Sequence, residues 1–402
     1  MDITFTEEDR SFRAQARAWL QRHVPREPPP DDGQALREFD LAWQATQYEG
    51  GWAGISWPVE YGGRGLSLLQ QMIWHEEYAR AGAPNVGTSF VGLNDAGPTL
   101  MVHGNEDQKR RHLSRILEGR SIWAQGYSEP QAGSDLAALQ TRGTLDGNEM
   151  VITGEKIWTS YADIADHQEL LIRTDPDAPK HKGITWIICD LSPRPKGLTV
   201  EPIRMLSGIE RLCRVIYDEV RIPLSNVVGR VNDGWNVVSS SLYLKRGTGR
   251  IADQVALART VDDLVDLAST TKGSPGRRWA LDNDDVARRL ATARAEVMAL
   301  RAMTYAELSR VERDGHPGAE GSFGRIFHAL LSQRVHRLAL DVLGPRSLDV
   351  DDATEDHYWT KEYLWSFTET VGGGTSEIQS SVIAERVLGL PHDRSRDSVT
   401  ER

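Results

Sequence analysis

The sequence has few cysteines, few lysines and no long apolar run. Its 402 residues include two cysteines, Cys189 and Cys213, which are too few for a disulfide framework or a thiolate metal cluster. No apolar run reaches the roughly 18 residues that a membrane span requires, and the first residues lack the pattern of a signal peptide. The formal net charge of −11 argues against a nucleic-acid partner, because phosphate binding requires a basic surface. We therefore expect a cytoplasmic protein that acts on small molecules or on other proteins.

The composition is that of an ordinary globular protein, with 39% hydrophobic and 26% charged residues. The length exceeds the ~250–300 residues at which a single core stops growing, which predicts two or three subdomains. Eight of the 47 basic residues are lysines, which leaves 39 arginines. We attribute this bias to a GC-rich coding genome rather than to phosphate binding. It makes each lysine worth separate attention.

The spacing of apolar residues changes twice along the chain. Residues 1–120 repeat apolar positions three and four apart, which predicts an N-terminal helical domain. Residues 121–231 contain short alternating runs separated by turn residues, which predict a small antiparallel β-domain. Helical spacing returns over residues 232–390, and residues 391–402 are predicted to be a flexible tail. The predicted fold class is mainly α with a central β-domain.

The segment IWAQGYSEPQAGSDLAALQTRG, residues 122–143, has the strongest local signal for function. Ser128, Gly133 and Ser134 follow one predicted strand and precede the next, in a loop that contains proline. Their hydroxyls and exposed backbone amides suit hydrogen bonds to a polar heterocycle or to a thioester. A surface loop in which Asp135 forms an Asx-turn has the same pattern.

A second segment, GEKIWTSYADIAD, places Trp158 directly before two hydroxyl side chains, Thr159 and Ser160. A tryptophan beside hydroxyls can cover one face of a planar cofactor. A single tryptophan is, however, more often part of a core. Both interpretations are open from the sequence.

The third segment, VGGGTSEIQSSVIAERVLGLP, contains three consecutive glycines, Gly372 to Gly374. They lead into Thr375, a predicted N-cap, with Glu377 in the first turn of the helix. Glycines before a helix bring backbone amides close to an anion such as a pyrophosphate. A flexible hinge has the same sequence, so this signal alone is weak.

In this order, and together with GWAGISWPVEYGGRG, GPTLMVHGNEDQK, VRIPLSNVVG and GWNVV, these segments resemble the acyl-CoA dehydrogenase family. The resemblance extends from about Phe5 to Pro391. It implies an N-terminal helical domain, a middle β-barrel-like domain and a C-terminal four-helix bundle. It also implies FAD between the β-domain and the bundle, with the adenine end reaching a neighbouring subunit. The implied reaction is α,β-dehydrogenation of an acyl thioester such as an acyl-CoA in lipid metabolism, with electron-transferring flavoprotein as the electron acceptor.

The resemblance assigns roles to individual positions, each of which matches a functional position of the family. The cofactor-binding positions are Gln125, Tyr127 and Ser128 along the flavin, Trp158 and Ser160 flanking the isoalloxazine, and Thr375 with Glu377 near the diphosphate and adenine. The substrate-binding positions are Ser134 and Arg246. No spacing of histidines with carboxylates predicts a metal site.

The sequence departs from the family at the catalytic base. In such enzymes a carboxylate in a dry site removes the α-proton while a hydride leaves the β-carbon. The two positions at which the family carries this glutamate hold Gly373 and Lys245 in this sequence. The backbone amide of Gly373 can still bind the thioester carbonyl, as in an oxyanion hole. The missing side chain also leaves room for a bulky or branched acyl group.

Three explanations of this departure are open. The chain could be a catalytically impaired subunit that assembles with itself or with a paralogous chain, as a dimer or tetramer through the C-terminal bundle. It could perform divergent flavin chemistry, for example hydroxylation, with Lys245 as a desolvated base or as a cation near the flavin. Another carboxylate could serve instead. A lysine on a solvated helix face is a further interpretation of Lys245.

The adenine half of the FAD site has weaker support from the sequence than the flavin half. The Arg-x-x-Phe run of the family has no clear counterpart apart from Arg277 or Arg278. The Gln-x-x-Gly-Gly run is replaced by residues 341–345, which begin with Asp341. A carboxylate is an unfavourable neighbour for a diphosphate.

Overall fold

The structure is a computed structural model that describes residues 5–244, 249–315, 318–348 and 355–391, with the side chains of 240–244, 249–250 and 355–356 left out. Contacts divide the chain into two compact units, Asp2–Gly249 and Arg250–Arg402. Lys245 and Arg246 lie outside the described residues, as does most of the predicted tail.

The first unit begins with five helices. They are α1 (Glu7–His23), α2 (Gly33–Glu49), α3 (Leu68–Arg80), α4 (Gly97–His103) and α5 (Glu106–Leu117). Helices α1, α3 and α5 each begin with a capping box. In each box the side chain of the N-cap residue accepts the backbone N–H of the third helical residue, and the side chain of that residue accepts the backbone N–H of the N-cap. The N-terminal region is therefore helical, as predicted.

A cluster of tryptophans joins the first three helices. Trp52 and Trp74 stack with their ring centroids 4.5 Å apart and their planes 10° apart. Trp19 and Trp43 pack beside them and complete a buried aromatic core. Large rings bury much apolar area for little side-chain entropy, which suits a core shared by short helices.

A single eight-stranded sheet follows the helices. Its strands are β1 (Trp123–Gly126), β2 (Arg142–Asp146), β3 (Glu149–Ser160), β4 (His167–Arg173), β5 (Ile184–Asp190), β6 (Leu198–Ile203), β7 (Leu212–Pro223) and β8 (Val227–Val228). The strand order is β6-β7-β3-β2-β4-β5-β8, and β1 pairs with β4. The long ladders are antiparallel, as predicted, but β1 runs parallel to β4.

The two faces of the sheet are buried in different cores. Leu171 of β4 faces a core that also contains Trp123, Trp186 and side chains from α4 and α5. Its neighbour Leu170 faces the opposite core, because successive side chains of a strand point to opposite faces. The odd-numbered residues of β4, which include Glu169, therefore face the helices.

Helix α6 (Gly234–Leu244) packs on β5 and ends the first unit. Its first residue, Gly234, is so close to the sheet that an added Cβ would lie 2.6 Å from the carbonyl carbon of Thr185. A glycine is required there because the helix begins against the strand backbone.

The second unit is a bundle of helices. These are α7 (Gly249–Thr270), α8 (Asp284–Asp314), α9 (Gly321–Leu343), α10 (Glu355–Ser366) and α11 (Ser376–Val382). Their shared core includes Leu264, Leu300, Leu331, Leu338 and Trp359. Among the helices that the structure describes, none combines the length and the hydropathy that a membrane crossing needs.

Candidate functional site

A buried ion pair holds the loop between β1 and β2. Lys156 of β3 is fully buried, and its Nζ donates to Oε1 of Glu129 at 2.8 Å and to the carbonyl of Tyr127 at 3.0 Å. Glu129 also accepts the backbone N–H groups of Gln140 and Thr141 at 2.6 and 2.8 Å. Because these bonds satisfy both charges inside the protein, the loop is fixed relative to β3.

The two charges of this pair are both retained at neutral pH. Burial lowers the pKa of Lys156 to about 8, although the charge of Glu129 opposes the change. Burial also works against ionisation of Glu129, but the charge of Lys156 and the hydrogen bonds outweigh it and lower the pKa of the carboxyl. Lysine is thus the cation and glutamate the anion near pH 7.

Trp158 points out of the sheet at a bulge in β3. The register of β3 against β7 shifts between Lys156 and Thr159, and the backbone of Trp158 has φ +60°, in the left-handed region. Its indole is 51% exposed. Next to it, Ile157 N–H donates to the carbonyl of Ser128 at 2.9 Å. The bulge therefore presents an exposed ring beside the loop, and the core interpretation of Trp158 is wrong.

The side chain of Gln125 is partly accessible to solvent, whereas the ring of Tyr127 is buried. Gln125 is half-buried, and its Nε2 donates to Oε1 of Glu169 at 2.5 Å. The ring of Tyr127 belongs to the core, where its hydroxyl accepts from Trp186 Nε1 at 3.0 Å. A cofactor could meet the main chain of Tyr127 and the side chain of Gln125.

The remaining predicted hydroxyls lie at the surface of the first unit. Ser160 is half-buried at the end of β3, and Ser134 is exposed in the loop. The carboxylate of Asp135 pairs with Lys180 at 2.7 Å and makes no side-chain cap, so the interpretation of this loop as an Asx-turn at Asp135 is wrong.

The bundle carries the third predicted segment. The Oγ1 of Thr375 accepts from the N–H of Ile378 at 3.2 Å, which confirms the predicted N-cap of α11. Glu377 is exposed in the first turn of that helix. Gly373 and Gly374 both have left-handed backbones, with φ +65° and +99°.

The glycine loop is tightly held. An added Cβ at Gly374 would lie 2.7 Å from Nε2 of Gln379, and Oε1 of the same amide accepts from Ser322 Oγ at 2.7 Å. At Gly373 an added Cβ would lie 3.4 Å from the guanidinium of Arg325. Arg325 also donates to the carbonyl of Gly372. The loop therefore has a fixed backbone rather than the freedom of a hinge.

Sequence reasoning missed a carboxylate two residues before this segment, Glu369. Its Oε1 accepts from Ser332 Oγ at 3.3 Å, and its Oε2 lies 3.4 Å from His328 Nδ1. Burial, followed by the charge of Asp253, raises the pKa of Glu369 to about 7. The sequence left open that another carboxylate serves as the base but did not single out this glutamate, four residues before Gly373.

Asp341, which was expected to oppose a diphosphate, is already paired. It forms ion pairs with Arg289 at 2.8 Å and with Arg337 at 3.5 Å. Two nearby cations reduce the repulsion that this carboxylate would exert on an anion.

Comparisons with known proteins identify the family of this chain. The N-terminal, middle and C-terminal domain models of acyl-CoA dehydrogenase match residues 6–120, 124–220 and 232–388. The acyl-CoA dehydrogenase IpdE1 of Mycobacterium tuberculosis is 35% identical over 392 residues, which cover 95% of this chain and 98% of the relative. FadE29, an acyl-CoA dehydrogenase of the same organism, is 32% identical and covers 97% of this chain and 99% of its own.

Solved structures give the same result. The Tcur3481–Tcur3483 steroid acyl-CoA dehydrogenase matches with a TM-score of 0.84 and 32% identity, over 98% of this chain and 100% of that one. The ChsE4–ChsE5 complex of Mycobacterium tuberculosis matches with a TM-score of 0.80 and 31% identity, over 98% and 100%. This chain therefore belongs to the acyl-CoA dehydrogenase family, whose members are FAD-dependent oxidoreductases.

Proposed function

We propose that this chain is a FAD-binding subunit of a heteromeric acyl-CoA dehydrogenase that oxidises a bulky, steroid-type acyl thioester between its α and β carbons. The observation that carries the proposal is the contrast between two sites. The β-domain offers an exposed indole, hydroxyls and an amide that suit a flavin, whereas the loop that holds the base in one branch of the family has a glycine at that position. A subunit that binds flavin but relies on a partner for full activity fits both the β-domain and the glycine at the position of the base.

The residues present in the β-domain fit a flavin. The exposed indole of Trp158 offers a face for a planar ring, and a left-handed backbone holds it out of the core. The half-buried hydroxyls of Ser128 and Ser160 and the amide of Gln125 offer hydrogen bonds to polar ring edges. When bound, FAD supplies the hydride acceptor for the reaction. The protein residues orient it and keep one face covered.

In the bundle, the chain's own residues act on the thioester carbonyl and on the α-proton. The amide of Gly373 is set by a loop that Arg325 holds through the carbonyls of Glu369 and Gly372, so it suits binding of a developing oxyanion. Glu369, just before this loop, is a carboxylate whose pKa, raised to about 7, suits proton acceptance near neutral pH. It is our candidate if a carboxylate of this chain takes the α-proton.

Three observations support a bulky substrate or a heteromer. Gly372 to Gly374 have no side chains that would crowd a large acyl group at this loop. Among the similar structures, one is a steroid acyl-CoA dehydrogenase and another is a complex of two proteins. The bundle also exposes apolar side chains, among them Met298, Leu330 and Phe367. Leu330 and Phe367 line a groove of about 590 Å³ beside several arginines. An apolar patch of this kind suits a subunit contact.

Anaerobic titration with a steroid acyl-CoA tests the proposal. The chain is purified alone and after co-expression with a paralogous subunit, and flavin content and bleaching are read from the visible absorbance. We expect FAD in the complex and bleaching much faster in the complex than in the chain alone. Equal bleaching by the isolated chain would contradict the need for a partner, and absence of FAD in both preparations would contradict the function. Transfer of electrons to electron-transferring flavoprotein is measured in the same complex.

We expect Trp158→Ala to weaken FAD binding roughly tenfold, because loss of a stacked aromatic face costs on the order of 1–3 kcal/mol. The free energy of unfolding of the FAD-free protein should change little, since the indole is half-exposed. Tyr48→Ala, at another exposed aromatic residue, is the control and should leave FAD binding unchanged. Unchanged FAD affinity in Trp158→Ala would place the flavin elsewhere.

A further inference from the structure

Two carbonyl groups of the glycine loop are bound from one side, the side of α9. A guanidinium nitrogen of Arg325 donates to the carbonyl of Gly372. Gln379 Nε2 donates to the carbonyl of Gly373 at 3.4 Å, and the oxygen of the same amide accepts from Ser322 Oγ at 2.7 Å. Ser322 and Arg325 are three residues apart on α9, so their side chains leave the same face of that helix. Both carbonyls are therefore directed towards α9.

The N–H groups that follow these carbonyls point the opposite way. In a trans peptide the C=O and the next N–H lie on opposite sides of the C–N bond. The N–H of Gly373 is therefore turned away from α9, and so is the N–H of Gly374. Within the part of the chain that the structure describes, neither N–H donates to a protein group, and the loop is accessible to solvent. Both are available to a bound molecule.

The backbone of the loop brings these two N–H groups together. Gly373 and Gly374 have φ +65° and +99°, whereas Gly372 is not left-handed. A left-handed residue that follows one of ordinary hand aligns successive N–H groups into a concave site for an anion. Glycine adopts such a backbone at little cost. The three glycines therefore shape a pair of donors besides leaving space for the acyl group.

We propose that the N–H groups of Gly373 and Gly374 together bind the thioester oxygen as it becomes negative, and that Gln379 is the positioning residue that aims the second of them. The inference rests on the proposed function, in which the amide of Gly373 binds this oxygen. Negative charge develops there when the α-proton leaves, and donors that are already in place stabilise it without reorganisation. Ser322, which holds the Gln379 amide, is a further positioning residue.

The Gln379 side chain is fixed between the loop and α9. It is 9% exposed, and an added Cβ at Gly374 would lie 2.7 Å from its Nε2, so the loop packs directly on the amide. A leucine at this position has a similar size but no donor. It would free the carbonyl of Gly373 to rotate, and the N–H of Gly374 would rotate with it, because the two belong to one planar peptide.

The β-keto form of the steroid acyl-CoA tests this inference without turnover. Its α-proton is released to the solvent, and the enolate that remains carries part of its negative charge on the thioester oxygen and absorbs in the near ultraviolet. The ionisation constant of the bound probe is read from a pH titration of the FAD-bound protein, in its complex if needed. We expect Gln379→Leu to lower this constant by up to about 10²-fold, since loss of one oxyanion-hole donor costs about 10²–10³-fold.

The affinity for the neutral probe separates positioning from a loss of fold. The Kd of the neutral probe should change little in Gln379→Leu, because a neutral carbonyl gains less from the N–H groups than an enolate does. Ser322→Ala should lower the ionisation constant in the same direction but by less, and it keeps the test available if Gln379→Leu does not bind FAD. Ser380→Ala, which removes an exposed hydroxyl of α11, is the control and should leave the constant unchanged.

Unchanged ionisation constants in Gln379→Leu and Ser322→Ala, with FAD and the neutral probe bound as in the wild type, would overturn the inference and leave the proposed function intact. Equal losses of affinity for the neutral probe and for the enolate would also overturn it, because Gln379 would then only support the fold. A wild type that binds neither FAD nor the probe would instead overturn the proposed function, and this inference with it.

Discussion

Lys156→Met should lower the free energy of unfolding by about 3–5 kcal/mol and abolish retention of FAD, the largest stability effect that we expect from a single side chain in this protein. The substitution removes the cation from a buried carboxylate that stays tied to two backbone N–H groups. Glu129 must then be protonated or the loop must move away from β3. Either change disturbs Ser128 and Trp158, which lie beside the pair.

Arg221→Gln is the matched control for this substitution. Arg221 lies on β7 and also pairs with carboxylates, Asp146 at 2.7 Å and Glu149 at 2.9 Å, but its side chain is 52% exposed. Exposed pairs contribute about 0–1 kcal/mol, so its loss should be small. Urea unfolding and flavin absorbance measure both variants.

A double-mutant cycle separates the charge pair from simple packing. Glu129→Leu with Lys156→Met removes both charges but leaves the N–H groups of Gln140 and Thr141 without acceptors. We therefore expect the double variant to recover part of the stability and to remain below the wild type. Equal losses in Lys156→Met and Arg221→Gln would mean that the buried pair has no special role.

Lys245→Glu should increase the rate of anaerobic flavin bleaching by an acyl-CoA about 10²–10⁴-fold in the isolated chain. It places a carboxylate at one of the two positions that supply the base in this family. Lys272→Glu makes the same charge change at an exposed residue and should have no effect. A chain with FAD bound, an intact fold and no gain in rate would contradict the placement of the base at residue 245.

Gly373→Glu, at the other family position, should increase the rate of flavin bleaching less than Lys245→Glu does. Its backbone has φ +65°, where a non-glycine residue costs about 1–2 kcal/mol. Its Cβ would lie 3.4 Å from the Arg325 guanidinium, and pairing with that cation would lower the pKa of the new carboxylate and weaken it as a base. Stopped-flow measurements of the rate of flavin bleaching in Lys245→Glu and Gly373→Glu, under the same conditions, test this order.

Features that depend on neighbours in sequence were predictable. The N-cap at Thr375 follows from its own side chain and the next three residues, and the structure confirms it. The alternation of helical and β segments follows likewise from the spacing of apolar residues. The two interpretations of Trp158 could not be separated, because the bulge that turns it outward depends on the register of β3 against β7.

Contacts between distant residues were not predictable. Lys156 and Glu129 are 27 residues apart, and neither has a neighbour in sequence that indicates its partner. Glu169 begins the run ELLIR, in which an acid at the start of an apolar strand is normally expected at the surface. Its burial follows from the parallel pairing of β1 with β4, and that pairing was itself not predicted.

The two left-handed glycines of the loop also limit how this protein can change over generations. At Gly374 the backbone has φ +99°, and a side chain would also displace the amide end of the buried Gln379. At Gly373 any replacement must adopt a backbone that other residues rarely take up. A lineage with this backbone can more easily acquire a base elsewhere than restore one in the loop. Dependence on a partner subunit, once established, would therefore be hard to reverse by single substitutions.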